Sequence, residues 1–281
     1  MLIALLLALG VAACGSDEAD PTATSAATEA ASPSAGSGGV PINLSGELTV
    51  FAAVSLTDAF TELRALLEDA NPDFSISYNF AGSQALATQL AEGADADAYA
   101  SANNTQMTAA QEAGRIAGEP VTFVRNRLAV IVPADNPAGL ETPADFVHDG
   151  VKLVIAAENV PVGQYTLEVL DNMSADPEFG ADFRERVEAN VVSHESNVRQ
   201  VVTKVQLGEA DAGVVYVSDV TQDVVDEVML IEIPEEFNVI ATYPVAAVEG
   251  GDAELAQAFI DYLLSADGQA MLEQFGFTPL E

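Results

Sequence analysis

The residues best placed for chemistry are hydroxyls and small residues at the points where apolar runs give way to helix starts. After TVFAAV come Ser55 and Leu56, and after ISYNF come Ala81, Gly82 and Ser83. After DAYA come Ser101 and Ala102, after LVIAAENV come Pro161, Val162 and Gly163, and after VVSHES come Asn197 and Val198. Tyr216 sits within GVVYV. Taken one at a time, each has a plain local role. Ser55 with Asp58 fits a capping box, Ser83 is an ordinary N-cap, Val162 and Val198 are ordinary apolar residues, and a strand tyrosine usually belongs to the core. Taken together, five strand-to-helix entries aim backbone N–H groups and hydroxyls at one cleft. That arrangement would hold a dehydrated oxyanion without a cation, because aligned amides and helix dipoles stabilise negative charge.

Catalysis finds less support. A serine nucleophile needs a base within reach, and His148 and His194, the only histidines, lie in no catalytic pattern. No GxSxG, HExxH or Walker A motif is present. Acids abound, but nothing singles out a pair for glycoside hydrolysis. The single cysteine, Cys14, excludes an internal disulfide framework, a Cys-rich zinc site and an iron–sulfur cluster. Ala94-Asp95-Ala96-Asp97 alternates acids but lacks the following Gly and bidentate Glu of a calcium loop. The expectation is a binding protein rather than an enzyme, with no cofactor and no separate metal site.

The elements that must position these residues follow from composition and periodicity. The 281 residues include 44 acidic and 9 basic side chains, for a net charge of −35. Lysine occurs only at 152 and 204, so there is no basic patch for a phosphate backbone, and nucleic acid is excluded as a partner. The acids are scattered along polar helix faces as a solvated surface, screened beyond ~8 Å at physiological ionic strength. A hydrophobic fraction of 49% is ample for a core. From Gly46 onward strands and helices alternate. Residues 47–53, 74–80, 98–101, 128–132, 152–156, 191–193, 213–217, 228–233 and 239–248 read as strands. Helices are expected from Leu56 through Leu67, around Leu86 and Leu90, over 105–113 and 163–173, along Val198, Val201, Val202 and Val205, and over 253–264 and 269–275, with a short one opened by Thr142-Pro143. This order predicts an α/β architecture of mostly parallel sheets, and the length of the folded part suits two lobes.

Residues 1–13 are almost wholly apolar but too short for the ~20 residues of a membrane span, and read as a secretory signal peptide. Val11-Ala12-Ala13 before Cys14 resembles the lipobox of bacterial lipoproteins, in which that cysteine becomes the lipid-modified N-terminus. Residues 14–45 are rich in Ser, Thr, Ala, Gly and Pro without an aromatic side chain, which predicts a flexible tether. The folded body is therefore expected outside the cytoplasmic membrane, held to it through lipid at Cys14.

The folded part resembles the molybdate-binding proteins of bacterial ABC importers, a family of type II periplasmic binding proteins. The resemblance rests on FAAVSLTDAF at 51–60, NFAGSQALATQL at 79–90, DAYASAN at 97–103, ENVPVGQY at 158–165, SNVRQVVTKVQLGEADAGVVYVSD at 196–219, YPVAAVEG at 243–250 and FGFT at 275–278. It implies two lobes, each a mostly parallel sheet flanked by helices, with the ligand in the cleft between them. Lobe one would comprise 46–126 and 240–281, and lobe two 127–239, with crossings near Arg125–Leu128 and Ile240–Tyr243. It implies hydroxyl donors from Ser55, Ser83 and Tyr216 and backbone N–H donors from Ser83, Ala102, Val162 and Val198. The expected ligands are molybdate and tungstate, with molybdenum present only as the bound oxyanion. The expected partners are the membrane permease of an ABC importer and, through Cys14, the membrane, with the protein a monomer. A binder of sulfate or another oxyanion, an extracytoplasmic hydrolase and a scaffold lipoprotein are the competing readings.

Overall fold

The computed structural model describes residues 44–280. The predicted signal peptide, Cys14 and most of the predicted tether lie outside them. Strand β1 (Gly46–Ala53) leads through a single 3-10 turn, Val54–Leu56, into helix α1 (Thr57–Ala70). The buried positions of α1, Ala59, Phe60, Leu63 and Leu67, repeat at helical spacing and form one face. Burying a side chain such as Phe60 or Leu63 contributes about 1.5–3 kcal/mol, and both are fully buried. Strand β2 (Phe74–Ala81) is followed by α2 (Ser83–Ala91), β3 (Ala98–Ala100) by α3 (Asn104–Glu112), and then comes β4 (Ile116–Pro133). After a 3-10 turn at Pro143–Val147 the chain forms β5 (Leu153–Ala156), α4 (Pro161–Ala175), α5 (Phe183–Glu188), β6 (Val191–Glu195), α6 (Val198–Gln206) and β7 (Ala212–Tyr216). Strands β8 (Val228–Glu232) and β9 (Ile240–Val248) and helices α7 (Ala253–Leu264) and α8 (Ala266–Gln274) complete it.

The strands lie in the order β2-β1-β3-β9-β4-β7-β5-β6, with β8 on β4. Strand β1 is parallel to β2 and β3, and β5 is parallel to β6 and β7. Parallel neighbours need crossover connections, which here are mostly the helices. All antiparallel pairs involve β4 or β9. Strand β4 pairs β9 as far as Arg127, then pairs β7 from Leu128 and β8 from Ala129. The partner change falls where Leu128 stands opposite Tyr216. Two groups of parallel strands therefore meet along β4, and their carboxyl ends carry the segments singled out above. Among the described residues no helix is long and apolar enough to cross a membrane.

Two elements differ from the expectation. Strand β4 begins at Ile116 rather than near 128. Its first half contains Gly118, Glu119 and Pro120, residues that disfavour a strand, but β9 supplies a long antiparallel partner and Arg125 exchanges both backbone hydrogen bonds with Thr278. Helix α5 spans six residues, too short for a 3.6-residue period to stand out.

Candidate functional site

Ser55, Ser83, Ala102, Val162, Val198 and Tyr216 all line one small cavity. Their neighbours Ala53, Val54, Gly82, Val160, Pro161 and Asn197 complete its wall. No lining residue carries a charge. The cavity is narrow, which suits a small solute.

Each donor is set by its element. Ser83 opens α2, Val162 is the second residue of α4 after Pro161, and Val198 opens α6. The N–H groups of a first helical turn have no intrahelical acceptor, and the helix dipole makes them favourable to negative charge. Proline suits the start of α4 because it lacks the N–H that would be unpaired there anyway. Asn197 caps α6 by accepting from Gln200 N at 3.1 Å, which leaves the Val198 amide free of that role.

The serines do not act as caps. Neither the turn at 54–56, nor α1, nor α2 has a side-chain cap bond. Ser55 Oγ instead lies 3.0 Å from Tyr243 Oη, and Ser83 Oγ accepts from Ala102 N at 3.0 Å. Long-range partners displace the local capping role because all four residues are buried, where an unpaired polar group costs ~1–3 kcal/mol. Accepting from Ala102 leaves the Ser83 hydroxyl hydrogen available to an anion. Tyr99 Oη donates to Ser83 O at 2.9 Å and anchors the same residue from behind.

Tyr216 is buried, yet its hydroxyl has no hydrogen-bond partner among the described residues. Burial, with smaller contributions from Tyr243 and Tyr165, pushes that hydroxyl well above its ordinary value, so it remains a donor at neutral pH. Its backbone is held by Asp219, whose Oδ2 accepts from Tyr216 N at 3.0 Å. Asp219 is fully buried, and burial raises its carboxyl to about 6, against the opposing pull of Arg199 and of the Tyr216 N–H. Arg199 in turn pairs with Asp58. Tyr243, Asp219 and Arg199 were not singled out from sequence. The acid following GVVYVS could have been noticed as a turn residue, but its burial is invisible among 44 acids. His148 is exposed and His194 lies on an outward strand position, and neither lines the cavity. Among the described residues no group of three or more His, Cys, Asp or Glu is placed to hold a metal ion.

A small cavity walled by amides and hydroxyls lies at the carboxyl ends of strands from both groups, where α/β proteins bind ligands. The chain matches the family of bacterial extracellular solute-binding proteins over residues 48–278, and it belongs to that family. It is 34% identical over 277 residues to the molybdate-binding protein ModA of Mycobacterium tuberculosis strain H37Rv, covering 98% of this chain and 95% of that protein. It is 30% identical over 240 residues to ModA of Escherichia coli K12, covering 83% of this chain and 89% of that one. A solved substrate-binding domain assigned to a molybdenum ABC transporter of Clostridium difficile superposes with a TM-score of 0.63 at 28% identity, covering 84% of this chain and 99% of that chain.

Proposed function

We propose that this protein captures molybdate, and tungstate with it, outside the cytoplasmic membrane and delivers it to the permease of an ABC importer. The observation that carries the reading is the uncharged wall, in which helix starts and three hydroxyls converge on one small cavity. Ser55, Ser83 and Tyr216 donate hydroxyl hydrogens, and Ser83, Val162 and Val198 donate backbone N–H groups, to a tetrahedral dianion, while the expected Ala102 N–H is instead given to Ser83 Oγ at 3.0 Å and orients that hydroxyl toward the anion. The protein acts by capture and release rather than turnover, as a monomer. Residues 46–126 with 240–281 form one lobe and 127–239 the other, a division supported by the partner change along β4. Cys14 carries lipid that holds the protein to the membrane, with residues 15–45 as the tether. Cys14→Ser should release it from membranes, and an unmodified Cys14 in the intact mass of the exported protein would remove the anchor from this account.

Selectivity follows from the donor set. Molybdate and tungstate are tetrahedral dianions of nearly equal size, so fixed donors accept both. Sulfate is smaller, and a cleft closed to molybdate's radius leaves its oxygens short of some donors, where hydrogen bonds weaken steeply. Phosphate carries at least one proton near neutral pH, and with no carboxylate in the lining that proton goes unpaired at a cost of ~1–3 kcal/mol. Ligand at ~100 times its dissociation constant stabilises the native state by ~2.7 kcal/mol, a melting shift of a few degrees. Molybdate and tungstate should produce that shift, and equal sulfate or phosphate little. A larger shift with sulfate than with molybdate would replace the assigned ligand and leave the fold untouched.

A further inference from the structure

Besides Asn126 Nδ2 to Ser218 Oγ at the crossing between them, four side-chain contacts join residues 46–126 to residues 127–239, and each has a partner within three residues of a cavity-lining position. Gln84 Nε2 donates to Ser196 O at 2.8 Å, Asn103 Nδ2 to Gln164 Oε1 at 2.9 Å, and Gln106 Nε2 to Asn159 O at 3.0 Å. The fourth is the ion pair of Asp58 with Arg199. It differs in kind from the other three. Of the ion pairs among the described residues, it alone joins the two parts of the chain. The two sides also approach closely, since a Cβ on Gly82 would lie 2.8 Å from Ser196 O.

Arg199 faces two carboxylates at once. It follows Val198 at the start of α6, while Asp58 lies three residues beyond Ser55 in the first turn of α1. Its Nε also lies 3.6 Å from Oδ1 of Asp219, the buried acid that holds the Tyr216 amide. One guanidinium thereby ties the segment carrying Ser55 to the segments carrying Val198 and Tyr216. The planar fork of arginine can serve two carboxylates, which a lysine ammonium does less well. Arg199 does not line the cavity. Its side chain is 25% exposed and that of Asp58 39%, so the pair is partly desolvated only while the two sides are together.

We infer that Arg199 is a positioning residue that latches the cleft shut by pairing with Asp58 while braced on Asp219, and so sets how slowly the bound oxyanion leaves. The latch rests on the oxyanion-binding reading of the cavity. Disrupting a desolvated charge pair changes the dissociation rate, whereas an exposed rim charge changes the association rate. That contrast separates a latch from electrostatic steering.

The test times release from the wild type, Asp58→Asn, Asp58→Glu, Arg199→Gln and the Asp58→Asn/Arg199→Gln double variant, by chase of labelled oxyanion with excess unlabelled. It uses whichever of molybdate, tungstate, sulfate or phosphate the wild type retains, so a wrong ion revises the ligand and leaves the latch under test. Asp58→Asn is the decisive variant, because Arg199 keeps Asp219 as partner and the unliganded melting temperature should hold. It should speed release by about tenfold with association changed less than about threefold. Asp58→Glu should restore slow release. The double variant should release no faster than Arg199→Gln alone, since both remove one interaction. Unchanged release in Asp58→Asn, a change confined to association, or full additivity in the double variant would overturn the latch. A wild type that retains none of the four ions would overturn both the latch and the binding reading.

Discussion

Replacing Gly163 by Ala should remove most of the oxyanion affinity and cost ~1–3 kcal/mol of stability, the usual penalty for forcing an extra carbon into a packed site. Gly163 is the third residue of α4, directly after Val162. A Cβ there would lie 2.1 Å from Ala157 O and 2.6 Å from Ala156 O, both backbone atoms at the end of β5 that no rotamer change can move. The first turn of α4 has to shift, and Val162 shifts with it. A displaced N–H no longer meets its acceptor in line, and hydrogen bonds fail steeply with poor geometry. Isothermal calorimetry on the folded variant should show affinity down by at least about tenfold, equivalent to ~1.4 kcal/mol. Wild-type affinity in a stably folded Gly163→Ala would mean that the start of α4 is not part of the binding site.

Ser83→Ala should weaken binding by roughly tenfold to a hundredfold, more than Ser55→Ala or Tyr216→Phe. Every hydroxyl removed loses a hydrogen bond to a charged ligand, ~1.5–3 kcal/mol. Ser83 has a second function, as acceptor for Ala102 N at 3.0 Å. Ala102 is buried, so its N–H would lose that partner, and the loop ahead of α3 would lose its tie to α2. Ser55 leaves behind only a Tyr243 hydroxyl, and Tyr216 has no partner to strand. Calorimetry on the three variants, with melting curves to exclude unfolding, checks the order. Equal affinities in all three and in the wild type would reject the cavity as the binding site.

Much of this arrangement is legible in the chain. Helix α1 follows from Phe60, Leu63 and Leu67 on one stripe, and α6 from Val198, Val201, Val202 and Val205. The strand runs announce themselves because strands buried on both faces must be continuously apolar, as Leu153–Ala156 is. The junction residues are legible because crossover connections force each parallel strand to end at a turn into a helix, and such turns are where α/β proteins bind ligands. Sequence could therefore name Ser55, Ser83, Ala102, Val162, Val198 and Tyr216 as candidates before any geometry was known.

What sequence could not decide is which partner each group takes. Ser55 next to Asp58 has the spacing of a capping box, and a cap is the local choice. The fold instead gives Ser55 to Tyr243, 188 residues away, and Asp58 to Arg199, 141 residues away. Asp219 is one acid among 44, and only packing makes it the fully buried one that holds the Tyr216 amide. The first half of β4 carries Gly118, Glu119 and Pro120, so it becomes strand only because β9 lies beside it. Periodicity, turn chemistry and helix starts are local properties, set by a few neighbouring residues, and the chain determines them directly. Pairing and burial depend on segments that meet only after the chain has folded, so tertiary structure decides them.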